Sequence, residues 1–145
     1  MDKDVKKAYM KEYFKTYKDE YKERRNALNR ERMKNDKIYA LSVKMRNILR
    51  KALNRDKKSS STESILGCNF AELKIHLESK FEPWMNWDNQ GLYKSDEKNY
   101  GWDIDHIIPL SSANSPEEIE KLNHYTNLQP LCSYVNRVQK RNKIK

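Results

Sequence analysis

The sequence predicts an α+β protein in which a basic, mostly helical arm precedes a body with turns and short strands. All three glycines and all four prolines lie after residue 66, so a long N-terminal stretch rich in helix-forming Lys, Glu, Arg and Met has no strong breaker. Residues 1–58 hold 20 basic and 9 acidic side chains, a net charge of +11, whereas residues 59–145 hold 10 and 12, a net charge of −2. Two β-prone runs lie in the body, at residues 102–110 and 126–132.

Length and composition limit the classes of protein to which this chain can belong. A chain of 145 residues has room for one compact domain and an appendage, and its net charge of +9 favours a polyanionic partner. The longest aliphatic stretch, residues 107–110, is too short to span a membrane, and the first residues lack the apolar segment of a secretory signal. Two cysteines, Cys68 and Cys132, cannot form a disulfide scaffold or a four-thiolate zinc site. We therefore expect a small cytoplasmic protein.

The arm begins with a helix that carries an aromatic stripe. Tyr9, Tyr13, Tyr17 and Tyr21 recur every four residues, with lysines and arginines on the other faces. We expect the stripe to pack on the body or on a second copy of the chain and the lysines to contact phosphates. Two alternatives remain open: the tyrosines lie against nucleic acid, or residues 1 to about 35 are largely unfolded without a partner.

A second helix completes the arm. Apolar residues between positions 38 and 53 follow three- and four-residue spacing, so one face is expected to be buried. The basic residues between them are predicted to bind DNA: Lys44, Arg46, Arg50 and Lys51. A solvated linker is expected over residues 56–62.

The body is expected to begin with a helix. Asn69 and Glu72 form a capping-box pattern, and an apolar stripe continues to a helix end before Pro83. Ser115 with Pro116 predicts a second, short helix, which joins the two β-prone runs.

The residues that could carry chemistry lie in the two β-prone runs and the helix after them. Phosphodiester hydrolysis needs a base for water and a cation for the developing charge. His106 titrates near neutrality and suits the base. Asp105 and the amide oxygen of Asn136 could hold one hard divalent ion, and so few protein ligands suit Mg²⁺. Strict strand alternation would place Asp105 and His106 on opposite faces, so they can serve one phosphate only if the strand ends or bulges there.

A helix is expected from about Ser133. Asn136, Lys140 and Lys143 fall at helical positions i, i+4 and i+7, so one face would carry an oxygen ligand and two cations. Lys140 and Lys143, together with the neighbouring basic residue Arg141, are predicted to bind DNA.

The wider pattern resembles the HNH endonucleases, in particular the small HNH nucleases of phages and mobile introns. The match rests on Asp105-His106-Ile107-Ile108-Pro109-Leu110, then Asn127-Leu128-Gln129-Pro130-Leu131, then Asn136 with trailing basic residues. The resemblance implies a ββα-metal nuclease domain over residues 62–145, with its motif core at about 102–145, preceded by a basic helical DNA-binding arm at residues 1–58. It also implies site roles: His106 as general base, Asp105 and Asn136 as metal ligands, and Asn127 as the brace of the loop that carries His106.

The resemblance further implies a metal-dependent enzyme that nicks or cuts double-stranded DNA and leaves 5′-phosphate and 3′-hydroxyl ends. Asn136 stands where the family name expects histidine, which favours Mg²⁺, or alternatively Mn²⁺, over Zn²⁺. Relatives with structural zinc carry two cysteine pairs, which are missing here, so no structural zinc is expected. For a phage-encoded member, the location would be the cytoplasm of the bacterial host.

Two other functions compete with this one. A nucleic-acid-binding protein without catalysis would use Asp105 and His106 only as a structural pair, but it would not need a base beside a ligand pair. A homo-oligomeric structural protein built on the tyrosine stripe leaves the motif unexplained. The oligomeric state does not follow from the sequence, and a monomer is the preferred expectation.

Overall fold

The structure is a computed structural model that describes residues 2–54 and 56–140. It confirms the α+β class, because the described residues form helices and one small antiparallel sheet of two strands. The helices are α1 (Lys3–Asn35), α2 (Lys37–Leu53), α3 (Thr62–Leu66), α4 (Phe70–Glu78) and α5 (Pro116–Leu122), and the strands are β1 (Trp102–His106) and β2 (Leu128–Cys132). Short 3₁₀ turns lie at Leu110–Ser112 and Tyr125–Asn127, and a π-helical segment (Val135–Lys140) follows β2.

Residue contacts divide the chain into two units between Ala40 and Leu41, here called the N-terminal unit and the C-terminal unit. The N-terminal unit consists of α1 and the first turn of α2. No residue of α1 is buried, and its four stripe tyrosines are 54–62% exposed. The predicted amphipathic helix is therefore present, with its aromatic stripe exposed to solvent.

The long stretch without Gly or Pro is nevertheless interrupted, at Asp36. The backbone of Asp36 is extended, and its carboxylate accepts a hydrogen bond from the Tyr39 N–H at 3.0 Å, so Asp36 ends α1 and caps α2. The Tyr39 hydroxyl donates to Asn29 at 2.6 Å, and the Arg32 guanidinium lies 3.8 Å from the centre of the Tyr39 ring. Tyr39 thus fastens the start of α2 to the end of α1.

The core of the C-terminal unit begins on α2. Leu41, Met45, Leu49 and Leu53 are at most 3% exposed, as the spacing predicts. Leu41 and Met45 join a buried cluster built from the other elements of the unit: Leu66, Phe70, Leu73, Leu77, Met85, Trp102, Ile104 and Leu128. Because its apolar face is part of this core, most of α2 belongs to the C-terminal unit. The N-terminal unit therefore ends at Ala40, whereas the predicted arm ends at residue 58.

Helix α4 has the capping box that the sequence predicts. The Asn69 side chain accepts from the Glu72 N–H at 2.8 Å, and the Glu72 carboxylate accepts from the Asn69 N–H at 2.9 Å. Just before it, Gly67 ends α3 with φ at +76°, where a Cβ would lie 2.3 Å from the His124 ring. Only glycine fits this position.

Strands β1 and β2 pair antiparallel in a register that runs from Trp102↔Cys132 to His106↔Leu128. The long connection between them contains α5, which starts at the Ser115 cap with Pro116 in its first turn, as predicted. The chain then leaves β2 directly into the π-helical segment. Among the described residues, no helix is both long and apolar enough to cross a membrane.

Candidate active site

One face of β1 presents two carboxylates to the π-helical segment. Because side chains alternate along a strand, Asp103 and Asp105 point to the same side. Asp103 accepts hydrogen bonds from both Arg137 Nε (2.9 Å) and Arg137 Nη2 (2.8 Å), and from Asn136 Nδ2 at 3.1 Å. Asp105 Oδ2 accepts from Gln129 Nε2 on β2 at 2.8 Å and from Lys140 Nζ. Each carboxylate thus has its own cation from the same helical segment.

His106 is the last residue of β1, and this position brings it to the same cleft as Asp105. The cleft has a volume of about 220 Å³ and is lined by Asp105, His106, Asn136 and the Pro109–Ser111 turn. Strand alternation would separate Asp105 from His106, but the strand ends at His106 and the chain turns there. The candidate base His106 and the two candidate metal ligands, Asp105 and Asn136, therefore border one cavity.

Asn127 holds the chain that leaves His106. Its Nδ2 donates to the carbonyl oxygens of Leu122 (2.7 Å) and Ile108 (3.1 Å), and its Oδ1 accepts from the Ile108 N–H at 2.9 Å. Its backbone oxygen accepts from the Ile107 N–H at 2.9 Å. This is the bracing position that the HNH resemblance implies for Asn127, although its effect on catalysis stays a prediction.

Asn123 also contacts the site, although no sequence motif assigned it a role. Its side chain is fully buried at the end of α5, and its Oδ1 lies 2.8 Å from His106 Nε2. In the sequence, the feature that could have indicated a role for Asn123 is its place in the last turn of the capped helix, four residues before Asn127. Arg137 was missed as well, because its partner Asp103 lies 34 positions earlier in the chain.

Lys140 lies in a different place from the one expected for a lysine that contacts phosphate. Its side chain is 3% exposed, and its ammonium group donates to Asp105 and, at 2.8 Å, to the backbone oxygen of His106. Because this pair is buried, each charged group needs the other: an unpaired charge in this position would destabilise the fold. Lys143, the other cation predicted on this face, and Arg141, which is also predicted to bind DNA, lie outside the described residues.

The four basic residues predicted on α2 are all exposed: Lys44, Arg46, Arg50 and Lys51. They lie opposite the buried apolar face, as the helical spacing predicts. The Arg46 guanidinium donates to the Ser42 hydroxyl at 3.2 Å and lies 5.2 Å from the centre of the Phe70 ring. Contact with DNA stays a prediction for all four.

The environment of the site sets its charge states. Burial lowers the pKa of His106, and the Lys140 ammonium lowers it further, against the opposing effects of the Asn123 hydrogen bond and the Asp105 carboxylate. The His106 imidazole is therefore neutral at pH 7 and able to accept a proton. Burial alone would raise the pKa of Asp103, but the hydrogen bonds from Arg137 and Asn136 outweigh it and hold that pKa below the ordinary aspartate value.

The oxygen atoms in the cleft fit a hard divalent cation better than a soft one. Asp105 supplies a carboxylate and Asn136 an amide oxygen, which suit Mg²⁺ or Mn²⁺, and no thiol lines the cleft. Within residues 2–54 and 56–140, no three His, Cys, Asp or Glu side chains are grouped so that they could hold a metal ion. A cation here would therefore rely on Asp105, the Asn136 amide and non-protein ligands.

Comparison with known proteins gives viral relatives. The chain is 28% identical over 121 residues to an uncharacterized protein of Acanthamoeba polyphaga mimivirus, which covers 82% of this chain and 50% of the relative. It is 29% identical over 123 residues to a second uncharacterized protein of the same virus, with 83% and 51% covered. The chain thus spans about half the length of these relatives. No protein-family profile and no solved structure matches it.

Proposed function

We propose that the protein is a metal-dependent DNA endonuclease of the HNH type, with a ββα-metal core formed by β1, β2 and the helical segment after β2. The observation that carries the proposal is the cleft at the end of β1. His106, Asp105 and Asn136 border that cleft, and Asn127 fastens the chain beside them. The substrate is double-stranded DNA, and the products carry 5′-phosphate and 3′-hydroxyl ends.

His106 accepts a proton from the attacking water, because its ring is neutral at pH 7 and borders the cleft. Asp105 and the Asn136 amide oxygen would hold the divalent cation. When bound, that cation neutralises charge on the phosphate in the transition state. Gln129 and Lys140 fix the direction of the Asp105 carboxylate through Oδ2.

The basic helices supply affinity for DNA. Helix α1 carries 12 basic and 6 acidic side chains, and the basic residues of α2 are exposed. Cations that neutralise phosphates release condensed counterions, so binding should weaken steeply as salt rises. DNA in the cytoplasm of an infected cell is the substrate pool that fits a virus- or phage-type nuclease.

One observation favours a second function, a nucleic-acid-binding protein without catalysis. Lys140 already neutralises Asp105, so this carboxylate has a partner without any metal ion. Under that function, Asp105 and Lys140 are a structural pair, and the basic helices alone carry the activity.

Plasmid cleavage separates the two functions. Purified protein is incubated with supercoiled plasmid and either Mg²⁺ or Mn²⁺, with a chelator in parallel. We expect nicked or linear product with metal, none with chelator, and a loss of roughly 100- to 10,000-fold in His106→Ala. His76→Gln is the matched control: His76 bonds the Leu128 carbonyl oxygen from α4, outside the cleft, and a glutamine amide can still donate there. Equal nicking by His106→Ala, or no metal-dependent product from the wild type, would refute the enzyme.

A further inference from the structure

The buried side chain of Asn123 makes hydrogen bonds on both of its ends. Its Nδ2 donates to the carbonyl oxygen of Ile119 at 2.8 Å, and its Oδ1 lies 2.8 Å from His106 Nε2. The Ile119 oxygen is available because the last turn of α5 tightens: the Asn123 backbone N–H bonds to the Glu120 oxygen, at 3.1 Å, instead. Asn123 therefore links the end of α5 to the ring of the candidate base.

These contacts determine which ring nitrogen carries the proton. A carbonyl oxygen can only accept a hydrogen bond, so the NH₂ group of Asn123 must face Ile119. The amide oxygen then faces His106, and because that oxygen cannot donate, Nε2 of the neutral ring must carry the hydrogen. The lone pair of the imidazole is left on Nδ1.

We propose that Asn123 is a positioning residue that holds His106 as the Nε2–H tautomer, so that Nδ1 is the atom that takes the proton from water. The role of Nδ1 as the proton acceptor rests on the proposed function. The tautomer itself does not. In the step, an O–H bond of water breaks and an N–H bond forms at Nδ1. The oxygen electron pair goes to phosphorus as the bond from phosphorus to the 3′ oxygen breaks, and that oxygen takes its proton from solvent.

Two asparagines thus position His106, each through a different part of the chain. Asn127 fastens the backbone of Ile107 and Ile108, directly after the base, and Asn123 fastens the ring itself. An amide partner sets the tautomer without adding a negative charge beside the phosphate, which a carboxylate in the same position would do.

The tautomer can be measured without metal or DNA. Protein with ¹⁵N-labelled histidine gives distinct long-range proton–nitrogen correlations for the two neutral tautomers, and His76→Gln, His106→Gln and His124→Gln variants assign the three rings. At a pH where His106 is neutral, we expect a single Nε2–H tautomer in the wild-type protein. An Nδ1–H tautomer, or an equal mixture, would overturn the proposal even if every Asn123 variant failed to fold.

Two substitutions then test the contact itself. Asn123→Ala removes the acceptor, so the tautomers should mix, and kcat should fall roughly 10- to 100-fold with KM unchanged, the range found for groups that orient an imidazole. Asn123→Asp keeps an acceptor for Nε2–H, so it should keep the tautomer. Its kcat should fall less than that of Asn123→Ala. An Asn123→Ala protein with wild-type tautomer and kcat would overturn the proposal. A wild type that holds the Nε2–H tautomer but cleaves no DNA would refute the nuclease and the base role, while the tautomer would stand.

Discussion

The two units of the chain carry positive charge in opposite ways. In α1, basic side chains lie on a helix without a single buried residue, in contact with solvent. At β1 in the C-terminal unit, Arg137 and Lys140 are each bound to one aspartate, and Lys140 is buried. Exposed cations are available to phosphates over a long surface, whereas bound cations fix carboxylates in place. We propose that the first arrangement provides affinity for DNA and that the second provides a shaped site.

The largest effect on stability is expected at Lys140. Lys140→Ala leaves Asp105 buried without its cation, which should lower the free energy of unfolding by roughly 3–5 kcal/mol. Denaturant titration of the metal-free protein measures this change. Arg137→Ala is the matched control: its side chain is 44% exposed, so its removal should cost less than that of the buried Lys140.

The same variant tests whether a divalent cation can replace the lysine. If Asp105 is a metal ligand, Mg²⁺ or Mn²⁺ should restore stability to Lys140→Ala more than it stabilises the wild type, because the ion no longer competes with the ammonium group. Equal metal effects in the two proteins would mean that Asp105 holds no cation. Unfolding midpoints at increasing metal concentration give the comparison.

Removal of residues 1–35 should affect DNA affinity and leave the core intact. The truncated protein should bind duplex DNA more weakly, and the dependence of log Kd on log salt should become flatter, since fewer phosphates are neutralised. The core packs within the C-terminal unit, so its unfolding transition should stay close to that of the full chain. An unchanged salt dependence would show that α1 does not contact DNA.

The smallest effect is a pH dependence at Asp103. Its folded-state pKa lies below the ordinary value, so its contribution to stability is present above about pH 4 and is lost as the pH falls through the folded-state pKa. Stability measured from pH 6 downward should therefore drop less in Asp103→Asn than in the wild type. Identical profiles would mean that the Arg137 and Asn136 contacts do not stabilise the charged form.

Local patterns predicted the elements and much of the cleft, because caps, spacing and strand length act over a few residues. The Asn69 capping box, the buried face of α2 and the Ser115 cap all follow from neighbours in the sequence. Asp105, His106 and Asn136 also meet at one cleft.

Contacts between residues far apart in the chain could not be predicted from the sequence. The partner of Lys140 lies 35 positions away, and an α-helical projection that placed Lys140 beside Asn136 and Lys143 could not show that the segment is π-helical or that the ammonium group reaches Asp105. Charge composition groups α2 with the arm, whereas residue contacts place most of α2 with the core through its apolar face. Asn123 becomes visible only when α5 lies beside the end of β1.

The most direct test measures cleavage and DNA affinity together in two variants, His106→Ala and the protein without residues 1–35. We predict that each variant loses a different one of the two properties. His106→Ala should bind DNA with wild-type affinity and cut it at least 100-fold more slowly, whereas the truncated protein should bind weakly but cut at nearly the wild-type rate at saturating DNA. Wild-type cleavage by His106→Ala, or equal loss of binding and cutting in both variants, would contradict it.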